Sequence, residues 1–325
     1  MKITNLAICF YGQYRTGDIC VPHLKDVLTQ IKNVNVDIFC SVKDTVSYHT
    51  ADGSISEIDI NSVYSVDASE IEKTVNTLKK LLSPKRINVL VDDIERMNSD
   101  VRKDFYVFTG IIDSILLKQQ YEAENEMFYD AVILMRYDIM IRPIDYIQKF
   151  IYQMQKEDDL KIWPNDPDSI IAGIINDAFL MNVTHPYSIL PNPIADLFIA
   201  FTGSGADRLC YELVNLVDTV VGVYTNENHK YSKYKHMYDC HSMLTHLANR
   251  ISLHHIDAPH ITKYPKNKNE ASGDIHNFDE RANCNLKTQP MFALVRPHPD
   301  INNMNPSNED DFDKIMSIWI TTQDK

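Results

Sequence analysis

Between Tyr129 and Met140 the chain reads Tyr-Asp-Ala-Val-Ile-Leu-Met-Arg-Tyr-Asp-Ile-Met, a short apolar run closed abruptly by Arg136 and Asp138. A run of this length, without alternation and with β-branched members, reads as a strand buried on both faces. Strands of that kind sit in sheets with helices on both sides, so this segment narrows the fold to the α/β class. Ligands in such sheets bind just beyond the carboxyl ends of the strands, which is where Arg136 and Asp138 stand. An Asp there can hold a divalent cation or a sugar hydroxyl, and an Arg can neutralise phosphate or lock the Asp in position. Taken alone, the pair reads more simply as an ion pair capping the strand end.

The rest of the chain supplies partners for this strand. Leu6 to Tyr11 is a second buried-strand pattern, and Gly12 to Asp18 follows it as a polar, glycine-bearing turn. Leu24, Val27, Leu28 and Ile31 give helical spacing over Val21 to Ile31, and Val36 to Val42 reads as a strand. A helix is predicted from Ser69 or Glu70 to Leu82, stopped by Pro84, and a strand over Arg86 to Val91. The longest helical pattern runs from Phe105 to about Asn125 and leads into Ala131 to Met135. Strands alternating with helices imply parallel pairing through right-handed crossovers.

After Pro143 the pattern is less regular. A helix is expected over Asp145 to Gln155, strands near Leu160 to Trp163 and over Asp196 to Phe201, and helices over Ala206 to Val221 and Asp239 to Asn249. Gly203-Ser204-Gly205 reads as the turn before the first of those two helices, and Lys263 to Lys287 as a polar surface excursion. No linker separates domains, so 1–250 reads as one domain and 251–325 as a C-terminal extension packed on it.

Composition excludes several classes. A formal net charge of -13 argues against broad adhesion to nucleic acid or anionic membrane, because the phosphate attraction needs clustered Lys and Arg. Cys9, Cys20, Cys40, Cys210, Cys240 and Cys284 form no CxxC pair and no zinc spacing, so they read as reduced, mostly packed thiols. The first apolar run is too short for a signal-peptide core, and no stretch reaches the roughly 18 to 20 apolar residues of a membrane span. The expected location is cytoplasmic.

Candidate chemistry lies in four places. Gly12-Gln13-Tyr14-Arg15 follows the first strand, and its amides with Gln13 and Arg15 could hold a nucleotide; the alternative is a glycine turn with a solvent-facing Arg. It lacks the spacing of GxGxxG and of the Walker loop. Asp177 and Asp196 are carboxylates in apolar settings, which need a hydrogen-bond partner, a cation or a substrate hydroxyl; Asp177 could instead cap a helix and Asp196 begin a strand. In His229 to Tyr238 basic and aromatic residues interleave, a pattern that can stack on sugars or bases but more simply makes a solvated loop. The twelve His form no HExxH or HxH pattern, and no GxSxG elbow is present.

Taken in order, these blocks resemble a known group. Ala7-Ile8-Cys9-Phe10-Tyr11-Gly12-Gln13-Tyr14-Arg15-Thr16 is similar to the "FSGQPRT" opening of glycosyltransferase-like proteins from bacterial surface-polysaccharide loci and phages. Gln119 to Glu122, Tyr129 to Ile133 with Arg136-Tyr137-Asp138, and Asp196 to Ile199 resemble that group's "YE", "YDxVIRxRxD" and "DxFxxG" elements. Tyr14 stands where the group has Pro, Leu134 where it often has Arg, and Arg136 where the usual DxD has its first carboxylate.

The resemblance implies a GT-A-like fold, a Rossmann-like, mostly parallel nucleotide-binding sheet flanked by helices with C-terminal elaboration. It also implies a nucleotide-sugar co-substrate and Mn²⁺ or Mg²⁺ held at Asp138. Under it, Gly12, Gln13, Arg15 and Arg136 meet the donor, and Asp138, Asp177 and Asp196 are the catalytic candidates. The acceptor would be a glycan hydroxyl of bacterial or viral origin, or a hydroxymethylated DNA base reached by flipping. A non-catalytic nucleotide- or carbohydrate-binding protein is the alternative of another class.

Overall fold

The computed structural model describes residues 2–47, 63–92, 106–141, 198–225 and 292–294, with 144, 145, 147, 148, 151, 155, 304, 305, 307, 308, 310, 311, 314 and 315. In chain order the elements are β1 (Asn5–Gly12), α1 (Gly17–Leu28), β2 (Asn35–Lys43), β3 (Thr45–Ser47), β4 (Val63–Ser65), α2 (Ala68–Leu82) and β5 (Arg86–Leu90). They continue as α3 (Tyr106–Asn125), β6 (Ala131–Arg136), β7 (Ile139–Ile141), β8 (Phe198–Thr202), α4 (Gly203–Thr225) and β9 (Phe292–Leu294).

The central sheet has five strands in the order β5-β2-β1-β6-β8. β5, β2, β1 and β6 run parallel, and β8 closes one edge antiparallel to β6. The protein is therefore an α/β fold with a mostly parallel sheet flanked by helices. The sheet grows outward from β1 in both directions: α1 carries the chain to β2 on one side, and α3 carries it back past β1 to β6 on the other. The strand order thus reverses between β1 and β6, and a crevice opens at such a point beyond the strand ends.

Side-chain alternation explains why the strands read as continuous apolar runs. Leu6, Ile8 and Phe10 of β1 and Ile133 and Met135 of β6 face the layer built by Val21, Leu24 and Val27 of α1 and Leu78 and Leu82 of α2. Ala7, Cys9 and Tyr11 of β1 and Val132 and Leu134 of β6 face Phe108, Ile111 and Ile115 of α3 with Ala206, Leu209 and Leu213 of α4. Both faces are dry, so a strand period of two leaves no polar residue to mark it. Cys9, Cys20, Cys40 and Cys210 are buried, unbridged thiols, and burial pushes Cys40 up to about 12 and Cys210 to about 11.

The N-terminal end of the sheet is tied by the tyrosine and aspartate that precede β6. Asp130 Oδ2 accepts the backbone N–H groups of Thr4 and Asn5 at 2.7 and 2.9 Å, and the Tyr129 hydroxyl donates to Asp37 Oδ2 at 2.7 Å. On the α3–α4 face, Lys118 is fully buried and meets both Glu122 at 3.0 Å and Asp207 at 2.6 Å.

Two helices begin earlier than their apolar stripes. α1 starts at Gly17 rather than Val21, and α4 starts at Gly203, so the Gly203-Ser204-Gly205 segment is the first turn of the helix and not a loop. Thr202 explains the second case, because its Oγ1 accepts the Gly205 N–H at 3.0 Å as an N-terminal cap. Gly203 is required there, since a Cβ would lie 2.0 Å from the Tyr129 carbonyl oxygen. The β3–β4 pair and the β7–β9 pair are further additions; strands of three residues carry no readable period. Among the described residues no helix is long and apolar enough to cross a membrane.

Candidate functional site

Gly12, the last residue of β1, has φ +102, a conformation that L side chains rarely adopt, and the chain turns there out of the sheet. Arg15 follows in the left-handed region at φ 33, unusual for a residue with a Cβ. Its Nε donates to Gln13 Oε1 at 2.8 Å, so the loop grips its own arginine. The ring of Tyr14 lies over Gly17, where a Cβ would come within 2.4 Å of the ring, so a side chain at the start of α1 would have to displace that ring. The opening block thus folds into a tight, pre-set turn.

Across the reversal point, β6 ends at Arg136, which pairs in register with Tyr11 of β1. The chain then turns through Tyr137 and Asp138 and resumes as β7. Tyr137 anchors this turn: its ring is fully buried, stacks on Phe10 at 5.5 Å and 16°, and its hydroxyl donates to the Ser41 carbonyl at 3.3 Å. With the middle residue held in the core, Arg136 and Asp138 meet each other. Arg136 Nε donates to Asp138 Oδ1 at 2.8 Å and Nη2 to Oδ2 at 2.7 Å, a bidentate fork. Arg15 Nη1 reaches the same Oδ2 at 3.3 Å.

Gly12, Gln13, Arg15, Arg136 and Asp138 are therefore brought together at the carboxyl ends of β1 and β6. The Asp138 side chain is 0% exposed, against 9% for Arg15 and 15% for Arg136, so the solvent side of the cluster belongs to the arginines. Two guanidinium groups thus face one buried carboxylate. Guanidinium forks also match the oxygens of phosphate groups.

A second polar cluster at the same end of the sheet went unread in the sequence. Lys43, the last residue of β2, is buried and its Nζ donates to both oxygens of Asp92 at 2.8 Å and to Thr109 Oγ1 at 3.0 Å. Thr45 Oγ1 adds a bond to Asp92 Oδ2 at 2.8 Å. Burial lowers the Lys43 ammonium below its ordinary value, and Asp92 opposes that shift. The first turns of α3 press on the glycine loop: a Cβ on Gly110 would sit 3.4 Å from the Gly12 nitrogen and 3.7 Å from Lys43 Cε. The available signal was a lysine ending an apolar strand, followed by an aspartate beyond the next strand in the sheet.

Asp177, Asp196 and the His229 to Tyr238 strip lie outside the described residues. Among the described residues no group of three His, Cys, Asp or Glu could hold a metal ion.

No protein-family model matches the chain. No curated protein sequence matches it. Among solved structures it is similar to the galactosyltransferase LgtC in complex with donor and acceptor sugar analogs, at 11% identity and a TM-score of 0.41 over 98% of this chain and 96% of that one. It is also similar to mouse xyloside xylosyltransferase 1, at 9% identity and a TM-score of 0.37 over 90% and 97% of the two chains. The glycosyltransferase GlyE of Streptococcus pneumoniae TIGR4 aligns at 8% identity and a TM-score of 0.37, over 98% of this chain and 62% of that one.

Proposed function

We propose that the chain is a nucleotide-sugar-dependent glycosyltransferase of GT-A-like fold, acting on a hydroxyl acceptor of a bacterial or viral glycan. One observation carries this reading: the glycine loop after β1 and the Arg136-Tyr137-Asp138 turn after β6 meet at the point where the strand order reverses. The resemblance of the motif blocks, in their order along the chain, supports it.

Under this reading the roles follow from the chemistry of the leaving group. A nucleoside diphosphate departs with its charge concentrated on phosphate oxygens, so a site that fixes positive charge there lowers the barrier without moving during the reaction. Arg15 and Arg136 supply that charge, the Gly12 backbone and Gln13 shape the loop that meets the nucleotide, and Asp138 holds the arginines. Deprotonation of the acceptor hydroxyl falls to a carboxylate, for which Asp177 and Asp196 are the candidates. A hydroxymethylated DNA base as acceptor rests on the 229–238 strip alone and is the lesser proposal.

A divalent cation would normally share the charge of the leaving group as a Lewis acid. The described residues do not fit one, since both oxygens of Asp138 accept bonds from guanidinium nitrogens and its side chain meets no solvent.

The test is donor hydrolysis or transfer from a mixture of nucleotide sugars by the full chain. Asp138→Asn is expected to abolish turnover while thermal unfolding stays cooperative. A variant with full turnover would remove Asp138 from the mechanism, and a parent that binds nucleotide but never turns it over would make the chain a binding protein.

A further inference from the structure

The cluster of Arg15, Arg136 and Asp138 at the ends of β1 and β6 bears on what neutralises a ligand bound there. Asp138 is a buried carboxylate whose oxygens face two arginines: the Arg136 fork takes Oδ1 at 2.8 Å and Oδ2 at 2.7 Å, and Arg15 reaches Oδ2 at 3.3 Å. Each arginine is itself fixed. Arg136 is the last residue of a strand paired to β1, and Arg15 is held by Gln13 and by a left-handed backbone. A cation ligated by Asp138 would have to come against two immobile positive charges and displace at least one from a charge-assisted bond. The same two charges, already oriented and weakly hydrated, cost a dianionic ligand little reorganisation on binding.

We infer that Arg15 and Arg136 bind the diphosphate portion of a nucleotide without a divalent cation, and that Asp138 is a positioning residue for the two guanidinium groups rather than a metal ligand. This rests on the donor-site reading above and assigns that site its ligand chemistry: a phosphate-bearing dianion recognised by a paired-arginine clamp. Asp138 contributes by holding the two forks at one spacing. An asparagine in its place leaves the site more positive but less ordered.

The experiment is calorimetric titration of the full chain with inorganic pyrophosphate, UDP and GDP, once in EDTA and once with Mn²⁺. Pyrophosphate and one of the nucleotides are expected to bind in EDTA with an affinity that Mn²⁺ does not raise, and that it lowers in so far as it sequesters the free diphosphate. Arg136→Gln and Arg15→Gln are each expected to weaken pyrophosphate by about 10- to 100-fold, the worth of hydrogen bonds to a charged group. Arg136→Lys keeps the charge without the fork and is expected to weaken it as well. Asp138→Asn separates the two possible roles of the carboxylate. Weaker pyrophosphate binding in EDTA supports positioning, whereas tighter binding means that Asp138 acts only as a local negative charge and overturns it.

Binding that appears only with Mn²⁺ overturns the cation-free site and leaves the transferase reading standing. Binding in EDTA without turnover of any sugar nucleotide upholds the site and removes the transferase reading. Absence of binding under both conditions overturns both. Should an Arg136 variant fail to fold, the EDTA and Mn²⁺ titrations of the parent chain still decide the question.

Discussion

Replacing Asp92 by Asn would test whether the buried lysine at the end of β2 depends on its counterion. Asp92 receives Lys43 on both oxygens at 2.8 Å and Thr45 at 2.8 Å, with side chains 4% and 3% exposed for the Lys and the Asp. Removing one partner of a buried ion pair strands the other charge and costs about 3–5 kcal/mol. Asparagine keeps one acceptor for Lys43, so the lower end applies, about 3 kcal/mol. With an unfolding entropy of about 2.1 cal/mol/K per residue over the 325 residues, that corresponds to a fall in Tm of about 4 °C.

The pH dependence gives this prediction its sign. Burial already lowers Lys43 in the parent, and Asp92 is the first influence opposing it, so the variant's lysine falls further below its unfolded value. Between those two values the unfolded chain binds more protons, so stability rises with pH. The deficit of Asp92→Asn is therefore expected to shrink as pH is raised from neutrality toward the ordinary lysine range. Chemical denaturation at several pH values measures it. Lys43→Met with Asp92→Leu removes both charges at similar volume and is expected to lie closer to the parent than Asp92→Asn alone. A deficit below about 1 kcal/mol, or one constant with pH, would refute the stranded-charge argument.

Three other outcomes can be checked. His23 lies on α1, with Nε2 2.9 Å from the Ile141 carbonyl and Nδ1 3.3 Å from Ser307 Oγ, and burial lowers it below its ordinary value. Its contribution is thus intact above about pH 6.5 and lost on acidification, at no more than about 1.4 kcal/mol per pH unit; His23→Gln should flatten the stability profile between about pH 7 and 5, and parallel profiles would contradict this. Gly203→Ala forces a Cβ to 2.0 Å from a backbone carbonyl, while Gly12→Ala meets nothing within 4 Å and bears only the cost of its φ of +102. Thermal unfolding should show the larger loss at Gly203 and about 1–3 kcal/mol at Gly12, with weaker pyrophosphate binding at Gly12 alone. Tyr129→Phe removes the 2.7 Å bond to Asp37 at the opposite end of the sheet, so it should cost about 1 kcal/mol of stability and leave pyrophosphate affinity unchanged by titration.

Much of the architecture was legible because parallel strands covered on both faces must be apolar throughout, and helices covering them must be striped. The strands read over 6–11, 36–42, 86–91 and 131–135 and the helices read over 69–82 and 105–125 correspond to β1, β2, β5, β6, α2 and α3. Gly12, Gln13 and Arg15 and the pair Arg136 and Asp138 could be placed at strand ends by the same logic. The pairing of Arg136 with Asp138 was readable as a strand-end ion pair, whereas the contact of Arg15 with the same carboxylate was not.

The tertiary structure decided the rest, because it depends on which strand lies beside which. Strand order puts β6 next to β1, so residues separated by more than a hundred positions share one carboxylate: Arg15 and Arg136 both meet Asp138. The motif that reads alone as a capping ion pair, with a cation implied only by the resemblance, becomes in three dimensions one carboxylate held by two arginines. Likewise Lys43 finds Asp92 only because β2 lies beside β5, and the early start of α4 is set by the cap at Thr202 and the close approach of Tyr129. Periodicity records burial along a segment and carries no information about neighbours across a sheet; the register between strands supplies that, and with it the contacts among the site residues.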